Sequence, residues 1–366
     1  MKKVVIIHHF GGLGGAGKSL INNVKLLSSK CDLTVITPDE PADIRLKLYD
    51  IDNVKVSTLS FIPSMPIYSG GYCLLSPGLY FHIIKSLLAL KTFITSVKSI
   101  DADVIVVNSI IMSWLSCFFS NKKKICFIRE TKSRSLFNFV HKWLLNRFDL
   151  VCFISQFDRV SWSLKTDSIV NENSVDNDYI GEAISTKSKR DKVNFVFLGG
   201  TSYIKGFYHL CASILRMKSR SKLNIFVLGE CRPFGMKLAE SIFGTSSPFT
   251  FVGKVSDVGR YYQMSDAVIF PVVKVHQGRP IFEAGQHKRG AIVPDYSNFD
   301  EFVQHMINGI VYRKRCSKSL SKVLSLACDG SIDFKLLGEE NYRAFECKHS
   351  LKSAQHRSEI ILQKIV

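Results

Sequence analysis

A loop in the second half of the chain carries residues suited to binding an anion. An apolar run, Asp266-Ala-Val-Ile-Phe-Pro, leads into a loop with Gly278 at its tip, and Pro280 then opens a predicted helix with Glu283 in its first turn. Proline is favoured at a helix start because its missing N–H would have had no partner there. The free amides and partial positive charge of such a helix start favour an anion, commonly phosphate. The same pattern also fits an ordinary strand–loop–helix unit in which the proline is only a boundary residue.

Two glycine-rich loops each follow an apolar run and precede a predicted helix. The first spans residues 11–19 and follows the run 3–10, and the second spans residues 199–206 and follows the run 194–198. The order strand, glycine loop, helix is typical of the opening of a doubly wound α/β sheet. In both loops the glycines would let backbone amides come close to a ligand.

The first glycine loop also fits a nucleotide-binding pattern. Residues 12–19 match G-x-x-x-x-G-K-[ST] letter for letter, with Lys18 and Ser19 at its end. A P-loop NTPase also needs an acidic residue at the end of a second strand to hold Mg²⁺. No strand-like apolar run ends directly in Asp, because residues 103–108 end in Asn108 and residues 150–155 end in Ser155. A P-loop NTPase therefore stays as an alternative hypothesis.

Polar residues at two predicted strand ends of the first half are candidates for substrate contact and catalysis. Asn108 ends the run 103–108, and Arg129 and Glu130 end the run that begins at Lys124. Strand ends in open α/β sheets face the ligand crevice, so we expect these three side chains near the substrate. The alternative is a local Arg–Glu pair in a turn that ends a strand.

No metal site is predicted. Asp101-Ala-Asp103 resembles a metal-binding D-x-D, but it precedes its strand, so we expect a solvated turn at the edge opposite the crevice. The 10 cysteines show no C-x-x-C and no paired spacing, which is typical of buried thiols in a reducing compartment rather than of zinc sites or disulfides.

The repeated strand–loop–helix order predicts two Rossmann-like, doubly wound parallel-sheet domains that face each other with a ligand cleft between them. We place the first at residues 1–185. A basic, polar linker at 185–192 leads into the second, at 186–345. The pattern of the tail, 346–366, predicts a helix that packs back on the first domain.

The charge balance favours anionic partners. With 49 Lys and Arg against 31 Asp and Glu, the formal net charge is +18. The basic residues are dispersed, so nucleic acid is not expected.

Pro63, Pro66 and Gly70-Gly71 predict a flexible loop, and the apolar helix predicted at 79–97 carries Lys85 and Lys91. It would lie on an acidic membrane surface or pack in the core with its lysines in water. The apolar run after the first lysines is too short for a signal peptide, and no stretch reaches the about 20 residues of a membrane span. A cytoplasmic protein, either soluble or peripheral at the inner face of the cell membrane, is expected.

The order of several motifs resembles that of family 4 glycosyltransferases of the GT-B fold. Residues 14–20, GGAGKSL, are similar to the family's G-G-A-E-x-x-L, and 169–176, IVNENSVD, to V-I-P-N-G-V-D. Residues 197–206, FLGGTSYIKG, resemble V-G-R-L-x-x-x-K-G, and 251–257, FVGKVSD, resemble F-L-G-x-V-x-D. Residues 278–285, GRPIFEAG, correspond to G-L-P-x-x-E-A-x. No single motif is decisive, but their order and spacing together are specific.

The resemblance implies a retaining, metal-independent glycosyltransferase that uses a nucleotide-sugar and no other cofactor. Lys205 would hold the diphosphate and Glu283 the ribose hydroxyls. Backbone near Gly14, Gly15, Gly200, Gly278 and Arg279 would face the phosphates or the sugar, and backbone near Lys254 and Val255 the nucleobase. The first domain would be the acceptor-side domain and the second would bind the nucleotide-sugar. The acceptor would be a saccharide, lipid-linked because of the basic charge and the apolar segment 61–97. Synthesis of O-antigen, capsule or lipopolysaccharide at the bacterial surface would suit such an enzyme.

Two departures from the family pattern keep a second hypothesis open. The family's loop arginine aligns with Gly200, and the first glutamate of its E-x(7)-E pair aligns with Val275, next to His276. Arg279 or Lys254 would have to supply the missing positive charge. A catalytically silent GT-B-like binding protein therefore remains an alternative.

Overall fold

The structure is a computed structural model that describes residues 1–64, 77–132, 137–175 and 191–365. It divides into two compact units, one formed by Met1–Ser174 with Lys352–Val366 and the other by Val175–Leu351. The predicted loop positions Pro66, Gly70 and Gly71 and the predicted linker up to residue 190 lie outside the described residues, as does Asp176.

The N-terminal unit is built on a seven-stranded sheet in which all paired strands are parallel. The strand order is β3-β2-β1-β4-β5-β6-β7, so the order reverses between β1 and β4. The strands are β1 Lys3–Ile7, β2 Asp32–Pro38, β3 Val54–Leu59, β4 Val104–Val107, β5 Lys123–Phe127, β6 Leu150–Phe153 and β7 Ser168–Val170. Runs such as VVII and VIVV form the central strands because both faces of a parallel sheet are covered by helices.

Six α-helices and a 3-10 helix, Ile110–Cys117, cover this sheet in the described part of the unit. The α-helices are α1 Gly15–Leu27, α2 Asp43–Tyr49, α3 Pro77–Lys98, α4 Asn138–Leu145, α5 Gln156–Trp162 and α12 Leu351–Ile365. Helix α12 places Ile361 and Leu362 in the same buried cluster as Leu20 of α1. Ser155 caps α5, as its sequence position predicts, because its hydroxyl accepts a hydrogen bond from the amide of Asp158 at 3.0 Å.

The C-terminal unit repeats the plan with a six-stranded sheet whose paired strands are also parallel. Its order is β10-β9-β8-β11-β12-β13, and the reversal falls between β8 and β11. The strands are β8 Val193–Leu198, β9 Leu223–Leu228, β10 Phe249–Gly253, β11 Ala267–Ile269, β12 Gly290–Pro294 and β13 Gly309–Tyr312. Each unit thus has the doubly wound topology that the sequence predicts.

The helices of the C-terminal unit include one that begins at the proline-marked loop. They are α6 Phe207–Leu215, α7 Pro233–Phe243, α8 Gly259–Met264, α9 Arg279–Gln286, α10 Ser317–Cys328 and α11 Phe334–Lys348. Pro280 lies in the first turn of α9, as predicted. The face of α9 opposite solvent buries Ile281 and Phe282. Within the described residues of the whole chain, no helix is both long enough and apolar enough to cross a membrane.

Candidate functional site

Two loops meet where the strand order of the C-terminal sheet reverses. The loop 199–206 follows β8, and the loop 270–278 follows β11. The amide of Val273 donates a hydrogen bond to the carbonyl of Ile204 at 3.1 Å. A Cβ on Gly206 would lie 1.9 Å from the carbonyl oxygen of Pro271, so only glycine allows this approach. A reversal at the carboxyl ends of parallel strands is where open α/β sheets bind ligands.

Lys205 brings a positive charge into this crevice. Its Nζ donates a hydrogen bond to Nε2 of His276 at 2.5 Å and lies 5.7 Å from the centroid of the Phe270 ring. Burial lowers the pKa of Lys205 to about 8, and burial together with the Lys205 charge lowers the pKa of His276 to about 3. His276 is therefore a neutral acceptor. No carboxylate in the described part of the chain lies within ion-pair distance of Lys205, so the ammonium has no counter-charge of its own.

Glu283 forms a buried ion pair in the second turn of α9, not in the first turn as predicted, because the helix begins at Arg279. Its Oε1 accepts a hydrogen bond from Nε of Arg279 at 2.8 Å, and its Oε2 accepts one from the Tyr262 hydroxyl at 3.0 Å. The side chains of Arg279 and Glu283 are only 14% and 9% exposed. Burial, and next the charge of Glu283, raise the pKa of Tyr262 well above its usual value, so Tyr262 remains a donor. Each carboxylate oxygen has a second lone pair, so Glu283 can still accept bonds from ligand hydroxyls.

The remaining predicted positions of this unit have different surroundings. Lys254 is exposed and Val255 is half-buried against the core, and both follow β10, which β9 separates from β8. Gly278 immediately precedes α9, and a Cβ there would lie 2.8 Å from Cδ1 of Ile281. The structure therefore brings Lys205, Arg279 and Glu283 to the loops flanking the reversal, whereas Lys254 and Val255 lie at the end of an edge strand.

Gly200 has no room for the arginine that the family has in this loop. Its φ is +52°, a backbone conformation that favours glycine, and a Cβ there would lie 2.1 Å from the carbonyl oxygen of Glu230. Its amide already donates to the carbonyl of Leu228 at 2.8 Å. The glycine is thus required by the packing of this loop against the residues that follow β9.

In the N-terminal unit, the structure brings Asn108 and Arg129 together. Nε of Arg129 donates to Oδ1 of Asn108 at 2.9 Å, and its Nη1 donates to Oδ1 of Asn173 at 3.2 Å. The Ser19 hydroxyl also donates to Oδ1 of Asn173, and Nδ2 of Asn108 donates to Nδ1 of His8 at 3.0 Å. Burial lowers the pKa of Arg129 to about 10, so the guanidinium stays charged at neutral pH.

Glu130 has a different role from its neighbour. Its Oε1 accepts a hydrogen bond from the Ser109 hydroxyl, and its Oε2 accepts from the amides of Ile110 at 3.2 Å and Arg129 at 3.0 Å. These bonds cap the 3-10 helix that follows β4. Burial raises the pKa of Glu130. The side-chain Arg–Glu pair weighed as an alternative is not formed, because the guanidinium turns to the two asparagines instead.

The glycine loop after β1 leaves open space at the start of α1. A Cβ added to Gly14 or Gly15 would meet no atom within 4 Å, so packing inside the protein does not explain these two glycines. Ser19 is buried and its hydroxyl is bonded to Asn173, which does not favour a P-loop, where that hydroxyl would hold Mg²⁺.

The Asp101–Asp103 turn lies where its position in the sequence predicts. Asp101 forms an ion pair with Lys3, and Oδ2 of Asp103 accepts from the Lys3 amide at 2.9 Å, at the amino end of β1. This is the sheet edge opposite the crevice. Within the described residues, no group of three or more His, Cys, Asp or Glu side chains could hold a metal ion.

The side chains of these networks that were not among the predicted site residues include His8, Ser19, Ser109, Asn173, Tyr262 and His276. Tyr262 and His276 contact Glu283 and Lys205 from more than 20 and 70 residues away. Ser19 and Asn173 each fall inside a motif, but nothing in either motif indicates that the two side chains meet.

Comparison with known proteins gives a family match for part of the chain and a shared fold. Residues 192–329 match the sequence profile of the family described as glycosyl transferases group 1. No curated protein sequence matches the chain. Among solved structures, the chain is similar to HepE of Anabaena in complex with UDP, at 17% identity and a TM-score of 0.77, covering 99% of this chain and 100% of that one.

Two further structures extend the similarity. A glycosyltransferase of Rickettsia africae is 15% identical with a TM-score of 0.77 and covers 100% of this chain and 98% of that one. The lipopolysaccharide outer core galactosyltransferase WaaB is 14% identical with a TM-score of 0.71 and covers 99% of this chain and 100% of that one. With two doubly wound parallel sheets, the chain has the GT-B fold of these glycosyltransferase structures, and its residues 192–329 are similar to glycosyl transferases group 1.

Proposed function

We propose that the protein is a retaining, metal-independent glycosyltransferase that moves a sugar from a nucleotide-sugar to a saccharide acceptor. The observation that carries this proposal is the Lys205 ammonium, which lies in the crevice of the C-terminal unit with a neutral histidine as partner. A buried cation without a carboxylate partner favours binding of an anion. The structures of HepE with UDP and with UDP-glucose support a nucleotide diphosphate as that anion.

Each polar group of the crevice has a role in this proposal. Lys205 binds the diphosphate and stabilises the negative charge that develops on it as the glycosidic bond breaks, the task a metal ion performs in other enzymes. Glu283, held by Arg279 and Tyr262, accepts hydrogen bonds from the ribose hydroxyls. The amides at the start of α9 face the phosphates or the sugar.

The test uses purified full-length protein with a panel of nucleotide-sugars. We expect slow donor hydrolysis that persists in excess EDTA. We also expect Lys205→Met to weaken donor binding about tenfold or more, as charge-assisted hydrogen bonds are lost. Lys237→Met, which changes an exposed lysine of α7, is the matched control and keeps full affinity. Loss of turnover in EDTA would contradict the metal-free mechanism.

The acceptor is proposed to be lipid-linked and to belong to bacterial surface polysaccharide synthesis, at the inner face of the cell membrane. The similarity to WaaB supports this, and so does α3. Helix α3 buries only Leu79, Phe93 and Val97 and exposes an apolar stripe on the opposite side. The stripe residues are 56–79% exposed and comprise Tyr80, Phe81, Ile84, Leu87 and Leu88. Large contiguous apolar surfaces with cationic neighbours are typical of membrane contact.

Vesicle co-sedimentation tests the membrane contact. We expect the protein to bind vesicles rich in acidic phospholipid more strongly than neutral ones, and Phe81→Asp with Leu88→Asp to abolish binding. Lys98→Asp, at the far end of α3, is a control for charge alone and should weaken binding only slightly. If the double variant binds these vesicles as strongly as the unchanged protein, α3 is not the membrane contact.

The competing hypothesis is a catalytically silent binding protein. Val275, in the position of the family's first glutamate, is 41% exposed and offers no hydrogen bond to a sugar. Under this hypothesis the protein would bind a nucleotide-sugar, with Lys205→Met weakening the binding, but no donor would be hydrolysed or transferred.

A further inference from the structure

Arg129 is a buried cation that forms no ion pair within the described residues. The residue is 8% exposed, and two of its nitrogens donate to the amide oxygens of Asn108 and Asn173. The third, Nη2, is buried and has no hydrogen-bond partner in the described part of the chain. Among the described residues, no carboxylate lies within ion-pair distance of this guanidinium. An unpaired buried donor on a charged group costs several kcal/mol unless another molecule pairs with it.

Of the described titratable groups around Arg129, Glu130 is the carboxylate that can offset its charge, but it forms no ion pair with the guanidinium. Burial raises the pKa values of Cys126 and Cys152, so both thiols stay protonated. Burial, and then the neighbouring His9, lower the pKa of His8 to about 3, so its imidazole is neutral. The one nearby carboxylate, Glu130, directs both oxygens to Ser109 and to backbone amides.

His8 can contribute a second unpaired donor to the same network. Because Oδ1 of Asn108 accepts from Arg129, its Nδ2 faces Nδ1 of His8 at 3.0 Å, and the backbone carbonyl of Asn108 lies 3.3 Å from the same nitrogen. In the tautomer whose Nδ1 accepts from Nδ2, the imidazole proton is on Nε2, which is buried and has no hydrogen-bond partner among the described residues. In that tautomer the network has two buried donors without an acceptor in the described part of the chain.

These residues follow three neighbouring strands at their carboxyl ends. His8 follows β1, Asn108 follows β4 and Arg129 follows β5 by two residues, and the strand order reverses between β1 and β4. This is the ligand-binding edge of the N-terminal sheet. The side chains that meet there offer donors and a positive charge, which is the chemistry that recognises an oxyanion.

We propose that Arg129 and His8 bind an oxyanion group of the acceptor, a carboxylate or a phosphate, so that the enzyme glycosylates acidic acceptors. This inference rests on the proposed function, which assigns the donor's diphosphate to Lys205 in the other unit. Arginine suits the role because its planar fork pairs with two oxygens of a carboxylate or phosphate at once. Asn108 and Asn173 hold the guanidinium in place.

Direct binding tests the site with the full-length protein and two probes, inorganic phosphate and acetate. The measurements are made in Lys205→Met, which removes the other candidate anion site. We expect calorimetry to detect binding of at least one probe, and Arg129→Gln in this background to weaken it tenfold or more. We also expect Arg129→Gln alone to match or exceed the melting temperature of the unchanged protein in anion-free buffer, because a buried charge is removed. Undiminished probe affinity in the Arg129→Gln protein, or no probe binding before the substitution, would overturn the proposal.

A second variant and a donor measurement keep the test decisive. If Arg129→Gln does not fold, Arg129→Lys keeps the charge but loses the fork, and we expect it to fold and to bind the probe more weakly. Unchanged affinity in Arg129→Lys would then count against the site. UDP binding should survive Arg129→Gln and weaken in Lys205→Met. If both variants bind UDP as tightly as the unchanged protein, the result contradicts the proposed function but does not contradict the anion site.

Transfer assays distinguish the two sources of the oxyanion. The assays compare three classes of acceptor: sugars that carry a phosphate, sugars that carry a uronic acid carboxylate, and neutral sugars. We expect one acidic class to be preferred, and the ratio of its kcat/KM to that of neutral sugars to fall tenfold or more in Arg129→Gln. Equal losses for acidic and neutral acceptors would show that Arg129 serves another purpose.

Discussion

The affinity of the protein for a nucleotide diphosphate should fall as the pH rises above 8, and Lys205 should be the cause. Burial lowers the pKa of Lys205 from 10.5 to about 8, and its hydrogen-bond partner is the neutral His276. A bound diphosphate supplies the missing counter-charge and raises this pKa again. Above pH 8 the protein must therefore take up a proton in order to bind.

The size of the effect follows from the shift. A displacement from 10.5 to about 8 corresponds to roughly 3 kcal/mol of unfavourable desolvation, at about 1.4 kcal/mol per pKa unit. If the bound diphosphate offsets most of this desolvation free energy, the affinity falls about tenfold for each pH unit above 8.

The same pKa shift of Lys205 affects the stability of the folded protein in the opposite direction. Between pH 8 and 10.5 the unfolded chain binds the proton that the folded chain has lost, so this group makes the free energy of unfolding rise with pH.

Calorimetric titration with UDP at pH 7, 8 and 9 measures this dependence, and buffers of different ionisation enthalpy report the proton uptake. Lys205→Arg keeps its charge across this range, so its affinity should be lower at pH 7 but nearly independent of pH. Lys237→Arg, on the exposed face of α7, should behave like the unchanged protein. A flat profile for the unchanged protein, or an equal decline in Lys205→Arg, would refute the assignment of Lys205 to the diphosphate.

Three further predictions concern single substitutions. Glu283→Gln should destabilise the protein by about 3 kcal/mol in urea unfolding, because it leaves buried Arg279 unpaired, and should weaken nucleoside diphosphate binding tenfold or more. Ser155→Ala should cost about 1 kcal/mol, since it removes the cap of α5. Gly200→Arg, which restores the family's arginine, should destabilise the protein by more than about 1 kcal/mol and not improve donor binding, because its side chain would collide with Glu230.

Each of these has a clear opposing outcome. The control Glu340→Gln breaks the more exposed pair with Arg343 and should lower the free energy of unfolding by less than about 1 kcal/mol. If Glu283→Gln lowers it by no more than this control, the argument from the buried pair is contradicted. Unchanged urea unfolding of Ser155→Ala would exclude the cap as a stabilising contact. Tighter donor binding by Gly200→Arg would mean that the loop after β8 can rearrange.

Features encoded by neighbouring residues could be predicted from the sequence. The strands with long apolar runs, the cap at Ser155 and the helix start at Pro280 each depend on a few adjacent side chains and on local hydrogen bonds. The short strands β7 and β13 were missed, because three or four residues carry too little periodicity to distinguish a strand from a loop. The repeated glycine loops were sufficient to predict two doubly wound units.

The partners of the charged side chains were decided only by the tertiary structure. Lys205 meets His276 because β8 and β11 are neighbours, and Arg129 meets Asn108 and Asn173 because parallel pairing brings distant strand ends to one edge. The sequence by itself determined which strands and helices form and that cations and glycines follow strands. Which of those cations became buried without an ion-pair partner in the described part of the chain depended on strand order, and strand order arises from contacts between residues far apart in the chain.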